Sequence, residues 1–174
     1  VSISKPNDLI LQTALVFVSG PKGVKKIRVL FDGGAHLSYI TDETVEALGF
    51  RSTGMEHQRV NVFGGGVEKL SMKKVVANLK SRNGNIDVIC LQIPKICDPV
   101  PAVSLGKWKG QIEKQKLVLA EGVVQTGNKW YGQIDLLIGT QDLYAILILA
   151  VLGTFGATQT FKGTDLLLQV GKLA

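Results

Sequence analysis

Val29-Leu30-Phe31-Asp32-Gly33-Gly34-Ala35 runs an apolar stretch into an aspartate and then into two glycines. An apolar strand is a rigid mount, and it holds the carboxylate at its end in one place. The glycines allow backbone angles closed to other residues and let another chain come close. A carboxylate mounted this way can give or take a proton during a reaction. The same tripeptide also occurs in plain turns and calcium loops, so the rest of the chain has to decide.

A second stretch bears on it. Ile134-Asp135-Leu136-Leu137-Ile138-Gly139 reads as a buried strand ending in glycine, followed by helical Asp142-Leu143-Tyr144-Ala145-Ile146-Leu147. Such a strand could cross beneath an Asp loop and support it. Other reactive residue types lack partners. His36 and Ser38 have no acid to orient the imidazole, so Ser38 reads as structural. His57 reads as a surface residue, Asp142 as a helix cap, and Asp87 and Asp98 as edge and turn residues. Trp108 and Trp130 read as packing or loop anchors rather than base-stacking platforms. No phosphate-binding loop ending in Lys-Ser/Thr is present. Cys90 and Cys97 are too few for a disulfide framework or a Cys-rich zinc site, and neither histidine stands at ligand spacing from them. No metal and no cofactor is expected.

The elements that must position these residues are mostly short strands. Leu9 to Val18 is apolar on both faces and is expected to be covered on both. Ser19 to Gly23 is a turn, and Val24 to Phe31 is the returning strand of a hairpin. Ser38 to Ile40 is extended. Thr41 caps a helix that carries Asp42 and Glu43 in its first turn and stops at Gly49. Gln58 to Val62 is a strand leading to Phe63-Gly64-Gly65-Gly66. Leu70 to Leu79 and Ile86 to Ile93 flank an Asn83-Gly84 hairpin turn. Asp98 to Pro101 and Gly106 to Gly110 read as loop, and Lys116 to Val124 as either strand or helix. Trp130 to Leu137 enters one strand, Thr140 and Asp142 open a helix through about Leu149, and Leu166 to Val170 is a last strand. The order is hairpin, Asp loop, glycine-rich hairpin, supporting strand, helix, strand.

On these residues the chain resembles the protease domain of BEL/Pao-type retrotransposon polyproteins. The resemblance rests on Leu11 to Phe50, with Phe31-Asp32-Gly33-Gly34-Ala35-His36-Leu37-Ser38-Tyr39-Ile40-Thr41 and Ala47-Leu48-Gly49-Phe50. Phe63 to Gly66 and Ile134 to Gly139 extend it, while about Leu91 to Val124 adds little. It implies a mainly β fold, a retropepsin-like closed acid-protease barrel. Each chain supplies one lobe with one or two short helices, as a single domain over residues 1–174. It implies an aspartic endopeptidase with Asp32 as the catalytic carboxylate. Gly34, Ala35, Phe63, Gly64, Gly65 and Gly66 would bind substrate, and a flap would lie near residues 60–68. Peptide hydrolysis by this route uses two carboxylates sharing one proton, and two such close charges cannot both ionise easily. No other aspartate here begins an Asp-x-Gly loop. A second copy must therefore supply the other Asp32 across a two-fold axis. The expected partners are a homodimer mate and a polypeptide substrate, the chain's own polyprotein. One departure stands out: the family usually has Ser or Thr after the catalytic Asp, and here it is Gly33. That hydroxyl bonds across the dimer, and each lost bond costs on the order of 0.5–1.5 kcal/mol. The alternative is a weakened or inactive module that keeps the fold for dimerisation or peptide binding.

Bulk composition sets the remaining bounds. The chain has 174 residues, 45% of them hydrophobic, enough for a core and against overall disorder. The net charge of +6 raises nucleic acid as a partner. Its lysines are scattered and mostly lack interleaved aromatics, so they read as solvated faces and nucleic acid is not expected. The longest apolar run, Leu143 to Leu152, is short of the ~20 residues a membrane helix needs. Two reduced thiols suit an intracellular, cytoplasmic protein.

Overall fold

The computed structural model describes residues 12–62, 66–81, 84–101, 110, 114, 131–144 and 146. Nine strands and one capped helix lie among them: β1 (Thr13–Gly20), β2 (Gly23–Phe31), β3 (Ser38–Thr41), α1 (Asp42–Leu48), β4 (Gly54–Val62), β5 (Gly66–Ser81), β6 (Gly84–Ile93), β7 (Val100–Pro101), β8 (Tyr131–Gly132) and β9 (Leu136–Ile138). Residues 140–144 and 146 are also helical. The strand or helix expected at Lys116 to Val124 and the strand expected at Leu166 to Val170 lie outside the described residues, as do Leu9 to Leu11, Asn83, Trp108 and Trp130.

The fold is mainly β, and six strands close into a barrel. The sheet runs β1-β2-β9-β3-β6-β5-β4, and β1 pairs again with β5 at Val18↔Leu79 and Ser19↔Asn78. That last pairing joins the two ends of a six-strand ring and leaves β4 outside it. Closure satisfies the backbone groups of what would otherwise be open edges. The ring is filled by alternate side chains. Ala14, Val16 and Val18 of β1 meet Ile27, Val29 and Phe31 of β2, Val75, Ala77 and Leu79 of β5, and Leu136 and Ile138 of β9, all buried.

Local chemistry explains the helix. Thr41 has extended angles and accepts the Thr44 amide, while Gly49 takes the left-handed conformation at φ 71° and donates to the Val45 carbonyl. Only a residue without Cβ takes that angle freely. The helix end docks on the β1–β2 turn, where Lys22 donates its amide to the Leu48 carbonyl at 3.0 Å.

Three expectations need correction. The outer face of β1 is not fully covered: Leu15 is half-buried and Phe17 is 43% exposed, its ring 5.5 Å from the Lys26 ammonium. Asp98 to Pro101 is not all loop, because Val100–Pro101 pairs with Tyr131–Gly132. The stretch leading to Leu137 is not one strand, since β8 and β9 are separated at residues 133–135. Arg28 takes part in both of the last two, the first through its side chain and the second through its backbone. Arg28 of β2 donates Nη1 to the carbonyls of Val100 at 2.8 Å and Gly132 at 3.0 Å. This draws the β7–β8 ribbon over the guanidinium. Asp135 is then held by its own contacts with the Arg28 backbone, out of the ladder.

Candidate active site

Asp32 follows β2 directly, and β9 is the strand that holds its loop. β9 lies between β2 and β3, the two strands on either side of that loop. It runs parallel to β2 (Val29↔Leu136, Leu30↔Leu137, Phe31↔Ile138) and antiparallel to β3 (Tyr39↔Leu137, Ile40↔Leu136). The Asp32 amide donates to the Ile138 carbonyl at 3.0 Å. One residue later, Gly139 passes under the far end of the loop. A Cβ there would stand 2.4 Å from the Leu37 carbonyl oxygen, so only glycine lets the two backbones come this close.

The loop is tied to the helix start beyond β9. Ala35 accepts the Thr140 amide at 2.8 Å and the Thr140 hydroxyl at 3.2 Å, and His36 accepts the Gln141 amide at 3.2 Å. Ser38, 1% exposed, accepts the Gly139 amide at 3.1 Å and donates to Asp142 Oδ2 at 2.6 Å. Ser38 is therefore a structural residue, as expected. Asp142 departs from its expected role, because its carboxylate binds Ser38 across the site floor.

The carboxylate itself is half-buried, beside exposed Gly33 and Gly34. Its Oδ1 accepts the Gly34 amide at 2.8 Å, and Oδ2 takes no hydrogen bond from the described residues. This orients the group and leaves one oxygen for a water or a second carboxyl. Gly34 is close packed, since a Cβ there would sit 3.2 Å from Asp32 Oδ1. A Cβ on Gly33 would meet nothing within 4 Å. The loop of one chain thus has no steric need for glycine at that position. Ala35 uses its backbone inside the loop, its amide on the Asp32 carbonyl at 3.3 Å and its carbonyl on Thr140. Its part is to hold the loop. Phe63, Gly64 and Gly65 lie outside the described residues. Gly66 opens β5 and pairs with Val62, so the expected glycine-rich hairpin is a long two-stranded arm, with β4 paired to β5 from Gly54↔Lys74 outward.

Beneath the floor sits a pair that sequence reasoning missed. Arg28 is 4% exposed, and Asp135 accepts its backbone amide at 3.0 Å while donating its own amide to the Arg28 carbonyl at 2.9 Å. Asp135 also accepts the Thr41 amide on its carbonyl at 3.0 Å, so one residue ties β2 to the end of β3. Burial pushes the Asp135 carboxyl above the usual carboxylate range, opposed by the Arg28 amide and nearby Lys25. Arg28 alternates with apolar neighbours just as a solvent-facing residue would, so no local pattern announces its burial. Cys90, fully buried, has its thiol pushed far up by burial, with the Asp142 charge adding to it. It is an inert core residue.

Protein-family models and curated protein sequences contain no match to this chain. A braced, half-buried carboxylate with one open oxygen can take or give a proton. Asp32 is the aspartate that begins the single Asp-x-Gly sequence of the chain. Among the described residues, no three His, Cys, Asp or Glu side chains group as metal ligands would, and no helix is long and apolar enough to cross a membrane.

Proposed function

We propose that the chain is a retropepsin-like aspartic endopeptidase of the BEL/Pao retrotransposon kind, working as a homodimer on its own polyprotein. The observation that carries this reading is the mounting of Asp32. β9 runs between the strands on either side of its loop, bonds the Asp32 amide, and lets Leu37 rest on Gly139. A general acid or base has to be held in place to act on a substrate, and this loop is anchored at both ends. In the dimer the two Asp32 carboxyls share a proton. One accepts a proton from the attacking water, and the other protonates the amide nitrogen as the C–N bond breaks. The β4–β5 arm serves as the flap that covers the extended peptide.

Gly33 favours a second reading. Among the described residues nothing requires glycine there, and a hydroxyl that could bond across a dimer is absent. The second reading is a dimerising or peptide-binding module with weak or no cleavage.

The test is cleavage of a mixed peptide library at mildly acidic pH, with sedimentation of the same sample. The protease reading expects cleavage that a statine-type inhibitor blocks, that Asp32→Asn lowers by a factor of about 10²–10⁴, and that tracks the dimer. Cleavage by Asp32→Asn at the wild-type rate, or by a sample that stays monomeric, would sink it. A dimer that binds peptide and cuts only after Gly33→Thr supports the second reading.

A further inference from the structure

We infer that the β4–β5 arm carries a basic face that binds acidic segments of an extended polypeptide. This rests on the reading of the arm as the flap of a peptide site. Side chains alternate across a strand, so parity along β5 tracks its two faces. Val75, Ala77 and Leu79 point into the barrel and are buried. The same parity carried outward gives Lys73, Ser71 and Lys69. The register sets Met55, His57 and Arg59 directly opposite them, and opposed residues share a face. All six are exposed. The face continuous with the barrel interior therefore leaves the barrel as an open, basic wall.

Charge is sorted between the two sides of the arm. On the reverse face Glu56 pairs with Lys74 at 2.6 Å, and Met72 is buried. The open face holds Arg59, Lys69 and Lys73 with no acidic side chain among its six residues, and none of the three cations makes an ion pair with a described residue. Arg59 stands directly across from Lys69. Like charges in opposed positions weaken a strand pair, and an anionic occupant relieves that repulsion. The six residues include no Phe, Tyr or Trp, and the one ring among them, the His57 imidazole, is bonded to the Ser71 hydroxyl at 2.8 Å. Single-stranded nucleic acid, by contrast, is usually gripped by base stacking on several aromatic rings. An extended peptide projects every second side chain to one side at about 6.8 Å, the same repeat as this face. Alternating Glu or Asp residues fit it.

The test uses two peptides of one sequence, one with alternating Glu and the other with Gln at those positions. Binding to the full chain and to its Asp32→Asn form is measured by fluorescence anisotropy. At roughly 0.05 M salt the Glu peptide should bind about tenfold more tightly, with the preference shrinking as salt rises. Each exposed charge pair contributes a factor of about two to five. The Arg59→Gln, Lys69→Gln, Lys73→Gln triple variant should bring the ratio near one. The corresponding triple change to Glu should invert it in favour of a Lys peptide. Equal binding of the two peptides by the unmodified chain overturns the inference, as does a preference that survives in the triple variant. Tighter binding of a single-stranded RNA oligonucleotide through the same three residues also overturns it. Absence of cleavage with the charge preference intact removes the protease reading alone. Cleavage without the preference removes the basic face alone.

Discussion

One strand, β5, builds two very different regions. From Lys74 to Ser81 it pairs with β6 inside the barrel, and from Gly66 to Lys74 it pairs with β4 in the arm. Inside, every second side chain is buried: Val75, Ala77 and Leu79 are at 0, 0 and 4% exposure. Outside, the same parity is exposed and Leu70 on the reverse face is 41% exposed. The backbone pairing is equally regular in both parts. What differs is the cover over the side chains. The barrel is stabilised by burying apolar area, and the arm mainly by its ladder. A strand rooted in a packed barrel can thus carry a loosely covered arm without weakening the frame that holds Asp32 at the end of β2. Elements that move in function come from the less stable end of a structure.

The largest effect that sharpens this contrast is at Gly139. A methyl group there would stand 2.4 Å from the Leu37 carbonyl oxygen and 2.9 Å from the His36 carbonyl carbon. Neither neighbour can swing away, since both belong to the braced Asp loop. Gly139→Ala should cost at least about 3 kcal/mol, the upper end of overpacking costs. Urea denaturation of the variant reads this directly. A loss under about 1 kcal/mol would mean that the loop yields easily and is no rigid mount.

The strands and the loop were largely legible because their signals are local, whereas the closed barrel was expected only from the resemblance, since the pairing that closes it joins Val18 to Leu79. Thr41 and Gly49 bracket α1 through cap chemistry that depends on neighbours in sequence. The apolar run into Asp32 and the run into Gly139 read as strands for the same reason. The Arg28–Asp135 link was not legible. Its partners are 107 residues apart, and a strand arginine between apolar residues has the pattern of a solvent face. The length of β5 was also missed. Its outer half carries too few apolar side chains to mark a strand, because pairing with β4 holds it without burial. Asp142 was read through its position at a helix start, but its carboxylate serves Ser38, over a hundred residues earlier. Long-range polar contacts leave no periodic trace.

A smaller effect compares one methyl group with a whole side chain. Ile138 in β9 is fully buried, so Ile138→Val should cost about 0.5–1.5 kcal/mol. Leu70→Ala removes more atoms from the arm, yet it should stay within about 0.5 kcal/mol, as surface changes do. Thermal or urea unfolding of both variants gives the order. If Leu70→Ala costs more than Ile138→Val, the arm is packed as tightly as the barrel and the division of labour along β5 fails.

The smallest effect lies where the two regions join. Lys74 pairs with Gly54 of the arm and with Leu91 of the barrel, so β5 changes partner at that residue. Its ammonium holds Glu56 of β4 at 2.6 Å, with both side chains about one-third exposed. A partly solvated pair like this gains little Coulomb energy and pays side-chain entropy for its geometry. A double-mutant cycle with Glu56→Gln and Lys74→Gln should therefore give a coupling of about 0.2–1 kcal/mol, falling as salt is added. Such a value makes the root of the arm a weak clasp that thermal motion opens often. A coupling above about 2 kcal/mol, insensitive to salt, would mean that the arm is locked to the barrel at its base. In the proposed protease such an arm could not lift from its root to admit a peptide, and its role as a cover would fail.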